Sequence, residues 1–120
     1  MSNLRGTILD LSVAEAAGTL AVRLDGEFDL AGVGAVENAL DRMNRLPPLT
    51  RVVFDLRELS FLDLAGLQTI LRASARGRDA GQEVVVIRPR GTANRVFTLT
   101  RAGEELTLVD RPDPGWHIGD

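Results

Sequence analysis

The chain has 120 residues, 44% hydrophobic and 26% charged, which is enough for one domain with a real core. It has no cysteine and one histidine, His117, which excludes disulfides, thiolate zinc sites, thiol catalysis and histidine-based clusters or triads. A net charge of −3 argues against general nucleic-acid binding, which needs a basic face to neutralise phosphates.

The first element expected is a strand over Gly6–Val13, followed by a small-residue turn over Ala14–Thr19. Leu20–Leu24 alternates clearly, with Leu20, Val22 and Leu24 on one face and Arg23 on the other, so the two segments read as an antiparallel hairpin. Gly26-Glu27-Phe28-Asp29 ends that hairpin, and Asp29 is placed to cap a helix whose stripe is Val33, Val36, Leu40 and Met43. Pro47-Pro48 stops this helix.

Arg51–Leu56 is a mostly apolar run that suits a strand buried on both faces. A short loop follows, and Asp63 caps a second helix with Leu67, Ile70, Leu71 and Ser74 facing inward. Gly77 and Gly81 mark its end, and Val84-Val85-Val86-Ile87 is the strongest strand signal in the chain. Thr92–Arg101 fits a short helix with Val96, Phe97 and Leu99 facing in, closed by Gly103. Leu106–Val109 reads as a last strand, and Asp110–Asp120, with its prolines and glycines, as an irregular tail.

Strands alternating with helices imply right-handed parallel crossovers, with the hairpin adding an antiparallel edge. The expectation is therefore one α/β domain over residues 1–109, with a mixed sheet, about three helices and a tail over 110–120. Arg5, Asp10 and Glu15 interrupt any apolar targeting segment, and no run approaches a membrane span of about 18 residues. A cytoplasmic location without membrane insertion is expected. All fourteen basic residues are arginine, which base composition explains, since the arginines do not cluster.

Three local patterns carry a resemblance. Gly26-Glu27-Phe28-Asp29 precedes the first helix; Val52-Val53-Phe54-Asp55-Leu56 leads to Leu59-Ser60-Phe61-Leu62-Asp63; Arg95-Val96-Phe97-Thr98-Leu99-Thr100 lies in the third helix. In this order and spacing, over about residues 6–109, they resemble the STAS domain, the module named for sulphate transporters and anti-sigma factor antagonists. The antagonists usually carry Asp-Ser-Ser/Thr-Gly at the central loop, and a partner kinase phosphorylates the first serine. Here the loop is Asp63-Leu64-Ala65-Gly66, so both hydroxyls are missing. The fourth helix common at the family's C-terminus is not expected either, because Pro112, Pro114 and Gly115 cannot sustain one.

The resemblance implies a partner-binding edge made by Glu27, Asp29, Ser60, Asp63, Leu64, Ala65, Gly66 and Gln68, with no catalytic residue, metal or cofactor. It implies an anti-sigma factor, a histidine-kinase-like ATPase, as the partner, and no phosphorylation at Leu64. The other function it admits is a STAS accessory subunit or small-ligand-sensing scaffold of a transporter or signalling complex. A homodimer is among the assemblies left open. Phosphoserine at this position would add roughly 1.5–2 negative charges beside Asp63, an off-switch that leucine cannot carry.

The residues themselves have plainer roles. Asp63, Asp29 and Glu27 serve first as cap and turn groups. Ser60 is expected to hydrogen-bond within its own loop rather than to replace the missing phosphoacceptor. Leu64 lies about 70° from the centre of the second helix's stripe on a 3.6-residue wheel, so it can tuck under the loop or stand exposed. Burial at the core's edge is favoured over a docking knob because an exposed leucine at a helix start costs solubility. Nothing pairs with the three acids as nucleophile or imidazole, which argues against catalysis. Trp116 either folds back on the domain or serves as a docking element.

Overall fold

The computed structural model describes residues 8–43, 48–114 and 116. Its strands are β1 (Leu9–Ala16), β2 (Thr19–Phe28), β3 (Arg51–Leu62), β4 (Glu83–Ile87) and β5 (Leu108–Val109). Its helices are α1 (Val33–Met43), α2 (Leu64–Asp79), α3 (Arg95–Leu99) and α4 (Ala102–Glu105), with 3-10 turns at Leu30–Gly32 and Gly91–Asn94. The expected strand start at Gly6, the Met43 side chain, the stop at Pro47, Gly115 and His117 lie outside the described residues.

One sheet runs in the order β1-β2-β3-β4-β5. The β1–β2 pair is antiparallel and the remaining pairs are parallel, as the hairpin-then-crossover order implied. The hairpin turn is tighter than expected. Ala14–Ala16 stay paired, and only Ala17 and Gly18 turn, at φ 54° and 81°. Two successive positive φ values give the turn a twist that matches the strands on either side.

All four helices pack on one face. Leu20, Val22 and Leu24 of β2, Val52, Phe54 and Leu56 of β3, and Val84 and Val86 of β4 meet Val36, Leu67, Ile70, Phe97, Ala102 and Leu106 in a single core. The third helix ends at Leu99, an additional short helix, α4, follows where only the closing Gly103 was expected, and Leu99 is exposed rather than inward. Phe97 and Leu99 stand about 200° apart on a 3.6-residue wheel, so one helix cannot bury both. Phe97 takes the core, and the chain re-enters the helical state at Ala102 after Thr100, whose Oγ1 accepts from the Ala102 amide.

The other sheet face is closed as well. Val53, Val85 and Ile87 are buried there, next to the register-aligned trio Thr19, Arg51 and Glu83. The Arg51 guanidinium bonds Glu83 at 2.7 Å and Thr19 at 3.3 Å. The tail returns to this face: the Trp116 ring centre is 5.9 Å from the Arg51 guanidinium carbon.

Candidate functional site

The strand exits of β2 and β3 build the site. Alternation breaks down in β3 because two bulges interrupt its pairing with β2, between Arg23 and Asp25 and between Gly26 and Glu27. The segment Leu59–Leu62, expected as a loop, is therefore strand. Ser60 is the extra residue opposite the second bulge, and its hydroxyl donates to the Gly26 carbonyl at 3.1 Å. This bond crosses between strands rather than staying local, which corrects the expectation for Ser60. Gly26 has φ 102°, and a Cβ there would clash with the Ile8 carbonyl oxygen on the β1 side, so this position requires glycine.

Beyond the bulges the strands are back in step. Glu27 pairs with Phe61 and Phe28 with Leu62. The Asp63 amide donates to the Phe28 carbonyl at 3.2 Å, extending the ladder one residue past the strands. Each chain then leaves the sheet in the same way. Asp29 Oδ1 accepts from the Ala31 amide at 3.0 Å and caps the 3-10 turn into α1. Asp63 Oδ1 accepts from the Gly66 amide at 2.9 Å and caps α2. Both caps were legible in the sequence.

Leu64 is exposed, at 60%, which overturns the expectation of burial. It is the first residue of α2, and helical side chains lean toward the N-terminus, so this one overhangs the edge of the sheet where no described element covers it. Its counterpart Leu30 follows Asp29 as Leu64 follows Asp63, and is 74% exposed. Phe61, which precedes buried Leu62 on β3, is exposed at 46%. Leu30 and Phe61 were not among the expected site residues. The repeat of Phe28-Asp29-Leu30 in Leu62-Asp63-Leu64 is the sequence signal that points to Leu30.

The remaining site residues separate into surface and support. Gln68 is exposed, and Ala65 is half-buried with its carbonyl accepting from Thr69 Oγ1 at 2.9 Å. Gly66 is buried. A Cβ there would lie 2.8 Å from both the Phe28 carbonyl oxygen and Leu62 Cδ1, so this glycine lets α2 lean on β2. Glu27, Asp29 and Asp63 are half-buried, and none of them is ion-paired among the described residues. No group of three or more His, Cys, Asp or Glu side chains among those residues is placed to hold a metal.

A separate charged cluster lies on the back of the sheet. Asp55 is buried and held by Arg57 through side-chain bonds of 2.9 and 2.7 Å and through the Arg57 amide at 3.2 Å. Burial pushes the Asp55 carboxyl up, but the bonds to Arg57 outweigh it and hold the carboxyl below its ordinary value. The same pair raises Arg57.

The family model described as "Mlab, STAS domain" matches residues 11–110. The chain belongs to the STAS family. A crystal structure of an anti-sigma factor antagonist from Mycobacterium paratuberculosis is 28% identical to this STAS domain, covering 85% of this chain and 86% of that one, with a TM-score of 0.69. The phosphorylated form of the Bacillus cell fate determinant SpoIIAA shares the fold at 20% identity, over 85% of this chain and 91% of that one, with a TM-score of 0.63. The murine anion transporter Slc26a9 contains the same fold at 14% identity, over 79% of this chain and 16% of that one, with a TM-score of 0.63. No helix among the described residues of this STAS domain is long and apolar enough to cross a membrane.

Proposed function

We propose that this STAS domain is an anti-sigma factor antagonist-like regulator that works by binding rather than by catalysis. Residues 1–109 form the docking domain and 110–120 its tail. In the cytoplasm it takes up an anti-sigma factor, a histidine-kinase-like ATPase, at the Asp63 turn and the start of α2, and so frees a sigma factor. The contact set is Glu27, Asp29, Ser60, Asp63, Leu64, Ala65 and Gln68, with Gly66 supporting it from beneath.

The observation that carries this proposal is the exposure of Leu64 at the start of a capped helix. An apolar side chain held out at that position loses solvent contact only when a partner packs on it. It also carries no hydroxyl, so docking there is not switched off by phosphorylation. Incubation with the cognate kinase and ATP tests this: no phosphate is expected on residues 60–69, and phosphate mapped there would sink the proposal. In calorimetry Leu64→Glu should weaken partner binding more than Leu64→Ser, because it sets a charge where the partner packs.

A second function has support of its own. A domain of this fold forms part of an anion transporter chain. A STAS accessory subunit or ligand-sensing scaffold needs no phosphoacceptor, which the Leu64 loop lacks. Co-purification separates the two: a kinase-like anti-sigma factor favours the first, and a transporter ATPase or scaffold complex the second.

A further inference from the structure

Two leucines, not one, stand out at the site. Leu30 and Leu64 each lie two positions past Phe28 and Leu62, which are partners on neighbouring parallel strands. Such strands run about 4.8 Å apart. Each leucine follows an aspartate whose side chain caps the turn beginning there. The 3-10 turn that carries Leu30 packs against α2. Both capped turns are fixed by hydrogen bonds, so the two leucines are presented from rigid backbone.

Three carboxylates, Glu27, Asp29 and Asp63, stand at the same two strand exits. Eight carboxylates elsewhere in the domain sit within 4 Å of an arginine: Asp25, Glu37, Asp41, Asp55, Glu58, Glu83, Glu104 and Asp110. Glu27, Asp29 and Asp63 have none among the described residues, as also Asp10, Glu15, Asp79 and Glu105, but only these three stand at the exits of β2 and β3. Asp29 and Asp63 each use only Oδ1 in their caps. In a chain whose basic residues otherwise pair widely, these three acids retain acceptor capacity for cations from outside.

We infer that Leu30 and Leu64 form a two-pronged apolar anchor, and that it enters an apolar recess rimmed by arginine or lysine on the anti-sigma factor. The inference rests on the docking function proposed above and adds Leu30 and the chemistry of the partner's surface. A second copy of this chain does not fit, because two such edges facing each other would oppose acid to acid. A partner with a basic rim satisfies all three carboxylates while the two leucines lose water together. Fully desolvated apolar anchors near the centre of an interface carry most of its energy, and the charged rim sets the encounter rate and the partner choice.

The test titrates the purified kinase-like anti-sigma factor of the same cell with the full chain by calorimetry, at low and high salt. Leu30→Asp and Leu64→Asp should each weaken binding tenfold or more. Leu99→Asp, at an equally exposed leucine on α3, should stay within twofold. Thermal melts check that all three variants fold, which their exposure favours. Glu27→Gln combined with Asp29→Asn should flatten the salt dependence. If Leu64→Asp loses binding and Leu30→Asp keeps it, the two-pronged anchor fails and the proposed function stands. An unchanged salt dependence in the double variant overturns the basic rim. Should the unaltered chain not bind at micromolar concentration, the proposed function fails and the anchor with it. A dimer of the free chain that Leu30→Asp dissolves would assign the patch to self-association and overturn the inference.

Discussion

The amide of Asp63 donates to the carbonyl of Phe28 at 3.2 Å, and this bond locks the exit of β3 to the exit of β2. The strands are already in step there, so the two aspartate caps are held side by side. The start of α2 is thereby seated on a carbonyl already engaged in the sheet.

Gly66 is where this seating is tightest. The Phe28 carbonyl cannot retreat from a new methyl group without giving up Asp63. Gly66→Ala should therefore destabilise the domain by about 1–3 kcal/mol through overpacking. Gly34 in α1 has open space instead, since a Cβ there would meet nothing within 4 Å. Gly34→Ala should stabilise by about 0.5–1 kcal/mol, because it removes chain entropy from the unfolded state at a helical position. Urea unfolding of the two variants should shift the midpoint in opposite directions.

The Asp63 cap has its own expected cost. Asp63→Ala should lose about 1 kcal/mol, since the Gly66 amide loses its acceptor at the first turn of α2. Asp63→Asn keeps an oxygen in place and should lose much less. Equal losses in urea unfolding would mean that the charge rather than the bond supports the helix start.

The Asp55–Arg57 pair sets an acid limit. The folded carboxyl lies below its ordinary value, so it stabilises the fold at pH above the unfolded value of about 3.9, and that contribution is lost as pH falls through the folded value. Stability should be flat near neutrality with respect to this group and fall below about pH 4. Removing one partner of a buried pair is costly, so Asp55→Asn should lower stability at pH 7 and flatten the acid limb. Denaturant midpoints from pH 7 to pH 2 check both.

The architecture was legible because long-range order follows from element order: a hairpin, then strands joined by helices, admits few sheets. The two aspartate caps were legible because capping is local chemistry. The second half of β3 was not, since its bulges at Arg57–Ser60 destroy the period of two that marks a strand. Leu64 was misplaced because a helical wheel, which gives direction around the axis and not position along it, left burial and exposure both open, and the solubility cost of an exposed leucine then favoured burial. At the first residue of α2 the side chain leans off the end, past the edge of the sheet. Leu99 was misplaced for another reason: it shares α3 with Phe97 but stands about 200° from it on the wheel, so the two cannot face the same core.

Trp116 is the only tryptophan, so its fluorescence reports on the tail directly. Its ring lies over Arg51 on the back of the sheet. Trp116→Ala should cost about 0.5–1 kcal/mol for an exposed cation–π contact. Arg51→Met should shift the emission of the folded protein, because the ring loses the charge beneath it. An emission spectrum unchanged by that substitution would show that the tail is not held there in solution.

Restoring a hydroxyl at the docking turn tests whether the surrounding scaffold still supports a switch. Position 64 is exposed and starts a capped helix of sixteen residues, whose free amides and dipole favour an anion. Leu64→Ser removes a largely solvent-exposed side chain and should leave the melting temperature nearly unchanged. Given the cognate anti-sigma kinase and ATP, this variant should gain one phosphate at position 64, while the unaltered chain gains none. The added charge of about −1.5 to −2 beside Asp63 and Asp29 should then weaken partner binding at least tenfold, since three negative groups would crowd one edge. Intact-mass measurement followed by calorimetry separates the two steps. A phosphorylated variant that still binds with full affinity would mean that the partner does not pack on this turn.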